Sequence, residues 1–166
     1  PADHFGVDVR SVSFEAGLRE TELARYLRQL PEEAWLGDVD TLLGYAEWGY
    51  VPPTAGRGGQ EVNPLGGVRT LDEMKRFVFP DITSERRYGE LEAKIAVFHE
   101  RGLAVVGRPP RLGGVIFEAA WRLRGFEEFF IDLVTRPELA AYLLDQMTFY
   151  NGINAGVLAG AGVDVL

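Results

Sequence analysis

The sequence predicts an α/β fold with a largely parallel sheet. Residues 5–14 loosely alternate apolar and polar side chains, and residues 103–106 form a short valine-containing apolar run, as strands do. Between and after these runs, apolar residues recur every three or four positions, which is typical of amphipathic helices. Strands that alternate with helices usually form a parallel sheet. The 166 residues, of which 46% are apolar, suffice for one ordinary core.

The first part of the chain is predicted to hold a strand, a helix and an irregular excursion. After the strand at 5–14, the apolar positions of residues 18–30 predict an amphipathic helix that ends at Pro31. Residues 36–67 are dense in Gly and Pro and predict a long irregular excursion, for which a hairpin is one form. Trp48 and Tyr50 are its expected anchors. Long loops inside compact domains are commonly functional.

Helix signals become clearer after residue 70. Thr70 and Glu73 form a capping-box pattern, which predicts a short helix to about residue 78. Ser84 is the predicted N-cap of the next helix, which extends to residue 100 and is closed by Gly102.

The second half of the chain predicts a strand, a Gly/Pro-rich loop and three helices. The helices are expected over residues 115–123, 126–134 and 137–159. The last one carries a glycine at every fourth position on one face, at Gly152, Gly156 and Gly160. Because glycine costs a helix about 1 kcal/mol relative to alanine, we expect that face to pack closely against a neighbouring element.

The end of the sequence predicts another buried strand. Gly162 breaks the last helix, and residues 163–166 are apolar apart from Asp164. A buried strand needs neighbours on its edges. We therefore expect residues 1–166 to be a single incomplete domain.

Composition excludes several classes of protein. The net charge of −8 argues against a general nucleic-acid binder, which needs clustered cations. The sequence contains no run of eighteen apolar residues, the length that a membrane-spanning helix needs. The absence of cysteine excludes disulfides and thiolate metal sites within the sequence, and no metal ligand set is predicted. A cytoplasmic location is the default expectation.

The loop after residues 103–106 is the first candidate site. It carries Arg108 and Arg111, ends in Gly113 and Gly114, and leads directly into a helix. Free backbone N–H groups at a helix N-terminus, with arginines nearby, suit a carboxylate or a phosphate. An ordinary βα loop with solvent-exposed arginines has the same pattern, so both interpretations are open.

The helix that follows this loop carries the second candidate site. Phe117 and Trp121 share one face, and Glu118 and Arg122 are placed for an i,i+4 ion pair. These residues are either core aromatics beside a surface ion pair or the wall of a pocket that the preceding loop opens.

Single titratable residues give weaker signals. Asp8 and Asp164 lie in apolar strand patterns, where burial would raise the pKa of a carboxyl group and mark a site. A partnered structural aspartate is the alternative at both positions. His4 and His99 are too isolated in the sequence to predict a metal site or a catalytic pair.

A series of short motifs, in order along the chain, resembles the uroporphyrinogen decarboxylase superfamily. The motifs are GVDVRSV from Gly6, EWG from Glu47, PLGGVRTLDEM from Pro64, FPD from Phe79, IFEAAWRLRGFE from Ile116, DLVTRPE from Asp132 and the final AGVDVL. The resemblance implies a (β/α)8 barrel of roughly twice this length, with this chain as its N-terminal or middle portion. The irregular excursion would be an addition to that barrel.

Two activities follow from the resemblance. One is decarboxylation of a carboxylated tetrapyrrole or related substrate without a cofactor. The other is methyl transfer by a corrinoid-dependent methyltransferase or O-demethylase component, with corrinoid and zinc as cofactors. Trp121 stands where the true porphyrinogen decarboxylases carry a tyrosine, which places the chain closer to the decarboxylase-like and methyltransferase-like members. A non-catalytic half-barrel is a third interpretation.

The resemblance also assigns roles to residues, because barrel active sites lie at the carboxyl ends of the strands. The expected catalytic residues are Trp121, Glu118 and Asp164. The expected substrate-binding residues are Arg10, Arg108, Arg111, Gly113, Gly114 and Phe117. The expected partners are a small-molecule substrate and either a second copy of the chain or a corrinoid protein, with no nucleic acid and no membrane.

Overall fold

A small parallel sheet and six helices make up the part of the chain that the computed structural model describes, residues 8–13, 39–53, 61–84, 87–108, 112 and 115–166. The strands are β1 (Val9–Val12) and β2 (Ala104–Gly107). The helices are α1 (Val39–Trp48), α2 (Leu71–Met74), α3 (Leu91–Glu100), α4 (Phe117–Arg124), α5 (Phe126–Thr135) and α6 (Pro137–Gly160). The structure is therefore mixed α/β and mostly helical.

The two strands are parallel, as the sequence predicted. β1 pairs with β2 in a register that runs from Val9 opposite Ala104 to Val12 opposite Gly107. Since β1 occupies one edge of β2, the parallel bridge between Val106 and Val165 lies on the other edge. The strand predicted at 163–166 is thus present only as this single bridge.

One face of the sheet is covered by α3 and the end of α6. The buried side chains there, which we call the sheet core, are Val12, Leu91, Ile95, Val105 and Leu158. A Cβ atom on Gly107 would lie only 3.1–3.2 Å from atoms of Leu158. Glycine at the end of β2 therefore lets α6 lie directly against the strand.

The other helices form a second cluster, which we call the helical core. Its members include Trp48, Met74, Leu123, Phe129 and Leu143, from α1, α2, α4, α5 and the first half of α6. Trp48 and Tyr50 are buried in it, which confirms them as anchors of their segment. The 24-residue helix α6 contributes to both cores, because Leu143 belongs to the helical core and Leu158 to the sheet core.

In the part of the chain that the structure describes, two ion pairs have both side chains buried. Asp132 of α5 and Arg124 of α4 are both completely buried, and Arg124 Nε lies 2.6 Å from Asp132 Oδ2. Arg124 also donates to the backbone oxygen of Gly66, at 3.1 Å, and so joins the turn before α2 to α4 and α5. Arg87 donates to both carboxylate oxygens of Glu47 on α1, and both side chains are almost fully buried.

The helices of the second half match their predicted bounds to within two residues, but earlier elements differ. The stretch 36–67 was predicted to be irregular, yet it contains α1 over residues 39–48. The prediction was wrong because the Gly and Pro residues are concentrated after residue 48, while 39–48 contains one glycine and no proline. The hairpin form is present only as an antiparallel bridge between Val51 and Val62.

Two predicted helix boundaries were also wrong. The helix expected after Ser84 begins at Leu91, because residues 87–90 form a turn that brings Arg87 to Glu47. The capping box at Thr70 is confirmed, but α2 ends at Met74 rather than at residue 78. The predicted helix at 18–30 lies outside the described residues.

The glycine face of α6 does not pack as expected. No atom of the described residues lies within 4 Å of a Cβ placed on Gly152, Gly156 or Gly160. The buried side of the second half of α6 instead carries Asn154 and Leu158. The prediction of a closely packed glycine face was wrong, because regular spacing identifies a face but not what covers it.

Candidate functional site

The carboxyl edge of the sheet, where β1 and β2 end, carries one of the predicted arginines. Arg108 follows the last residue of β2, is exposed, and donates its backbone N–H to the Val12 oxygen at 2.8 Å. Arg10 lies inside β1, opposite Val105, and its Nη1 donates to the Val9 oxygen at 2.9 Å. The structure therefore places Arg108 at the edge and Arg10 two residues before the end of β1.

The rest of the predicted loop site is not described. Arg111, Gly113 and Gly114 lie outside the described residues. Leu112, between them, is buried in the helical core. Arg108 therefore lies at the sheet and Leu112 in the helical core.

A second group of polar residues surrounds Arg122 of α4. Arg122 donates to Glu118 Oε1 from Nε at 3.1 Å and from Nη2 at 2.6 Å, which confirms the predicted ion pair. Its Nη1 donates to the Tyr45 hydroxyl at 2.8 Å. The guanidinium carbon lies 5.3–5.4 Å from the ring centroids of Tyr45, Tyr50 and Trp121. Each contact is within cation–π range.

These contacts set the protonation of the group. Burial opposes the charge of Arg122, but the Glu118 hydrogen bond and the two tyrosines outweigh it, so the pKa of Arg122 is raised. Burial, and then the 2.8 Å hydrogen bond to Glu61, raise the pKa of the Tyr50 hydroxyl. Tyr50 is therefore a neutral donor and Arg122 a fixed cation.

Sequence reasoning treated Arg122 only as the partner of Glu118. The signal that marks it is its position next to Trp121 and four residues after Glu118. No sequence pattern pointed to Tyr45. It is 77 residues from Arg122 along the chain, and only the fold brings the two side chains together.

Phe117 and Trp121 belong to an aromatic strip on the surface of α4 and α5. Trp121 contacts Phe126 at 5.5 Å between ring centroids, Phe126 contacts Phe130 at 4.8 Å, and Phe130 contacts Phe117 at 5.8 Å. Phe126 is 57% exposed and Phe117 47%. The structure thus places both predicted residues in an open apolar strip that continues along α5.

Asp164 lies at the opposite edge of the sheet from Arg108. Its Oδ2 accepts the backbone N–H of Val105 at 2.7 Å and lies 3.0 Å from His99 Nε2. Val105 is near the start of β2, so this group marks the amino edge. The structure does not bring Asp164 together with Arg108, Glu118 or Trp121.

Asp164 is a structural aspartate with hydrogen-bond partners, and it is not a buried acid. The side chain is about half exposed, and the Val105 N–H followed by His99 lowers the pKa of Asp164 instead of raising it. The expectation of a raised pKa for Asp164 was wrong, because residues 163–166 form only one bridge with β2 and the carboxylate therefore stays partly exposed to solvent. His99 is also not isolated, since the fold brings it to a residue 65 positions later.

This lowered pKa predicts a pH-dependent contribution to stability. The native state prefers the ionised carboxylate, so its contribution is present above the ordinary value of 3.8 and is lost as the pH falls through the lowered value. Asp164→Asn should therefore lower the urea midpoint at about pH 6 and lower it less at about pH 2. An equal loss at both values of pH would show that the ionised form contributes nothing.

Metal binding has no ready site among the described residues, which contain no group of three or more His, Asp or Glu side chains able to hold an ion. Within the same part of the chain, no helix has the length and apolar character needed to cross a bilayer.

Comparisons with known proteins add no identification. No family model, no curated protein and no solved structure matches the chain.

Proposed function

We propose that the chain is part of a uroporphyrinogen decarboxylase-like enzyme that binds a carboxylated tetrapyrrole or a related polycarboxylate at the carboxyl edge of its sheet. The observation that carries the proposal is the position of Arg108, an exposed cation directly after β2. Ligands of parallel α/β folds bind at the carboxyl ends of the strands. A guanidinium there suits a substrate carboxylate, which it can bind through two parallel hydrogen bonds.

The sheet supports membership of a (β/α)8 barrel. α3 and α6 cover the face that contains Val12 and Val105, and a parallel bridge at Val165 follows α6, which is the helix-then-strand order of such a barrel. The opposite face holds Val9 and Ala104, which are both exposed. In a barrel, that face would line the interior.

The residues have distinct roles in this proposal. Arg108 binds a substrate carboxylate, whereas Arg10 has no substrate contact, because it is opposite Val105 on the face that the helices cover. Glu118 and Trp121 are positioning residues, because they hold Arg122 and so fix α4 against the segment that carries Tyr45 and Tyr50. For the carboxylate to leave as CO2, the pyrrole ring must first be protonated, so that it can accept the electron pair of the broken carbon–carbon bond. A proton then adds to the side-chain methylene carbon and the ring loses the proton it had gained, which gives a methyl group with a net uptake of one proton.

A titration tests the proposal. Uroporphyrinogen would be added anaerobically to the chain, with intrinsic tryptophan fluorescence as the signal. We expect the wild-type chain to bind uroporphyrinogen. Arg108→Gln should raise the Kd about tenfold, which corresponds to the loss of one modest charge-assisted hydrogen bond. The matched control is Arg101→Gln, an exposed arginine just before β2 at the amino edge. Equal Kd values for the two variants, or no wild-type binding, would overturn the proposal.

The methyltransferase alternative has its own support in the aromatic strip, where Phe117 and Trp121 form part of an exposed apolar wall. A corrinoid would be recognised by such a surface. The same titration with methylcobalamin separates the two activities, since the decarboxylase-like proposal expects tighter binding of uroporphyrinogen and the alternative expects the reverse.

A further inference from the structure

The direction of α6 relative to the sheet defines which of its residues lie beyond the carboxyl edge. Leu158 packs against Gly107, the last residue of β2, whereas the Asp164 N–H donates to Val105 at the start of β2. The chain therefore runs from the carboxyl edge toward the amino edge between residues 158 and 164. Residues before Leu158 extend past the carboxyl edge, at about 1.5 Å per residue.

Asn154 lies one helical turn before Leu158, about 6 Å along the helix axis, and on the same side of α6. Gly107 and Val115, which lie before and after residues 109–114, both contact α6, at residues that flank Asn154. Gly107 contacts Leu158, and Asn151 Nδ2 donates to the Val115 oxygen at 2.8 Å. Asn154 thus lies between the two residues of α6, Asn151 and Leu158, that make these contacts.

The side chain of Asn154 has an unused hydrogen-bonding group. The residue is 9% exposed, and its Oδ1 is a buried acceptor with no donor among the described residues. A buried carbonyl oxygen without a donor destabilises a protein, and an apolar residue of similar volume would avoid that cost. Buried polar atoms without a partner are rare in native proteins, and a functional role is one explanation for keeping such an atom.

We infer that Asn154 is a ligand-binding residue, whose Oδ1 accepts an N–H or O–H donor of the small molecule bound at the carboxyl edge. This inference rests on the proposed function, because Arg108 supplies the carboxylate contact of the same ligand. The recognised class is then a carboxylated compound that also carries a hydrogen-bond donor. Two contacts of opposite polarity, one from β2 and one from α6, would fix its orientation.

Asn154→Leu tests the assignment with two independent measurements. Removing a buried acceptor that has no partner is expected to raise Tm by about 2–6 °C in the absence of ligand. The same change is expected to weaken uroporphyrinogen binding about tenfold, because the ligand's donor loses its acceptor. Asn154→Ala removes the same oxygen with a smaller side chain and is expected to lose the same affinity. Thr148→Val, which removes only a bond to the Leu144 oxygen within α6, is the control and should change neither quantity.

The outcomes separate this inference from the proposed function. A raised Tm with weaker binding supports Asn154 as a ligand contact. A lowered Tm for Asn154→Leu, or an unchanged Kd in a chain that binds uroporphyrinogen through Arg108, overturns the inference and leaves the proposed function intact. Absence of binding by the wild-type chain overturns both.

Discussion

Replacing Asp132 with alanine is expected to lower the free energy of unfolding by about 3–5 kcal/mol, because the buried guanidinium of Arg124 keeps, among the described carboxylates, only the 3.5 Å contact with Glu128 and Arg136 loses its 2.7 Å contact with Asp132. Both side chains are completely buried, and Arg124 Nε lies 2.6 Å from the carboxylate. Water cannot replace the lost charge without opening the contact between α4 and α5. Urea denaturation followed by circular dichroism measures the change.

The control for Asp132→Ala is an exposed pair of the same kind. Glu90 and Lys94 are 3.0 Å apart, with side chains 75% and 48% exposed. Glu90→Ala is expected to cost less than about 1 kcal/mol, as surface pairs do. If Asp132→Ala cost no more than Glu90→Ala, the buried pair would not be a main support of the helical core.

Replacing Arg87 with methionine is the second large effect we expect, again about 3–5 kcal/mol. Arg87 binds Glu47 through both carboxylate oxygens, and the Glu47 side chain is only 6% exposed. Without Arg87, the carboxylate loses both hydrogen bonds of this contact while it stays inside the protein. The pair joins α1 of the helical core to the turn before α3, so thermal unfolding should show the loss in both near- and far-ultraviolet signals.

Arg76→Met is the matched control for Arg87→Met, since Arg76 is exposed and lies two residues after the end of the short helix α2. It is expected to change stability by no more than about 0.5 kcal/mol. Similar losses for the two variants would indicate that methionine disturbs packing at either position, and that the Glu47 contact contributes little.

Local patterns in the sequence predicted what depends on neighbouring residues. The capping box at Thr70, the last three helices and the parallel pairing of β1 and β2 are all confirmed. Each follows from propensity or spacing within a short window. The helix α1 was not predicted, because the glycines and prolines of residues 49–67 made the whole stretch from residue 36 look irregular.

Contacts between distant residues were not predictable in the same way. Arg87 meets Glu47 across 40 positions, and His99 meets Asp164 across 65. No local pattern selects these partners from the many other charged residues of the chain. The candidate site shows the same limit, since Arg108 was found from its loop, whereas Asn154 gains its meaning only from the position of α6 beside β2.

The length of α6 has a consequence for how the protein unfolds. A single continuous helix supplies Leu143 to the helical core and Leu158 to the sheet core. Neither core can lose its order without exposing one end of that helix, and the backbone hydrogen bonds between residues 143 and 158 transmit the loss to the other. Shared elements of this kind merge neighbouring clusters into one cooperative unit. The amide protons in the middle of α6 should consequently exchange with solvent only when both cores open together.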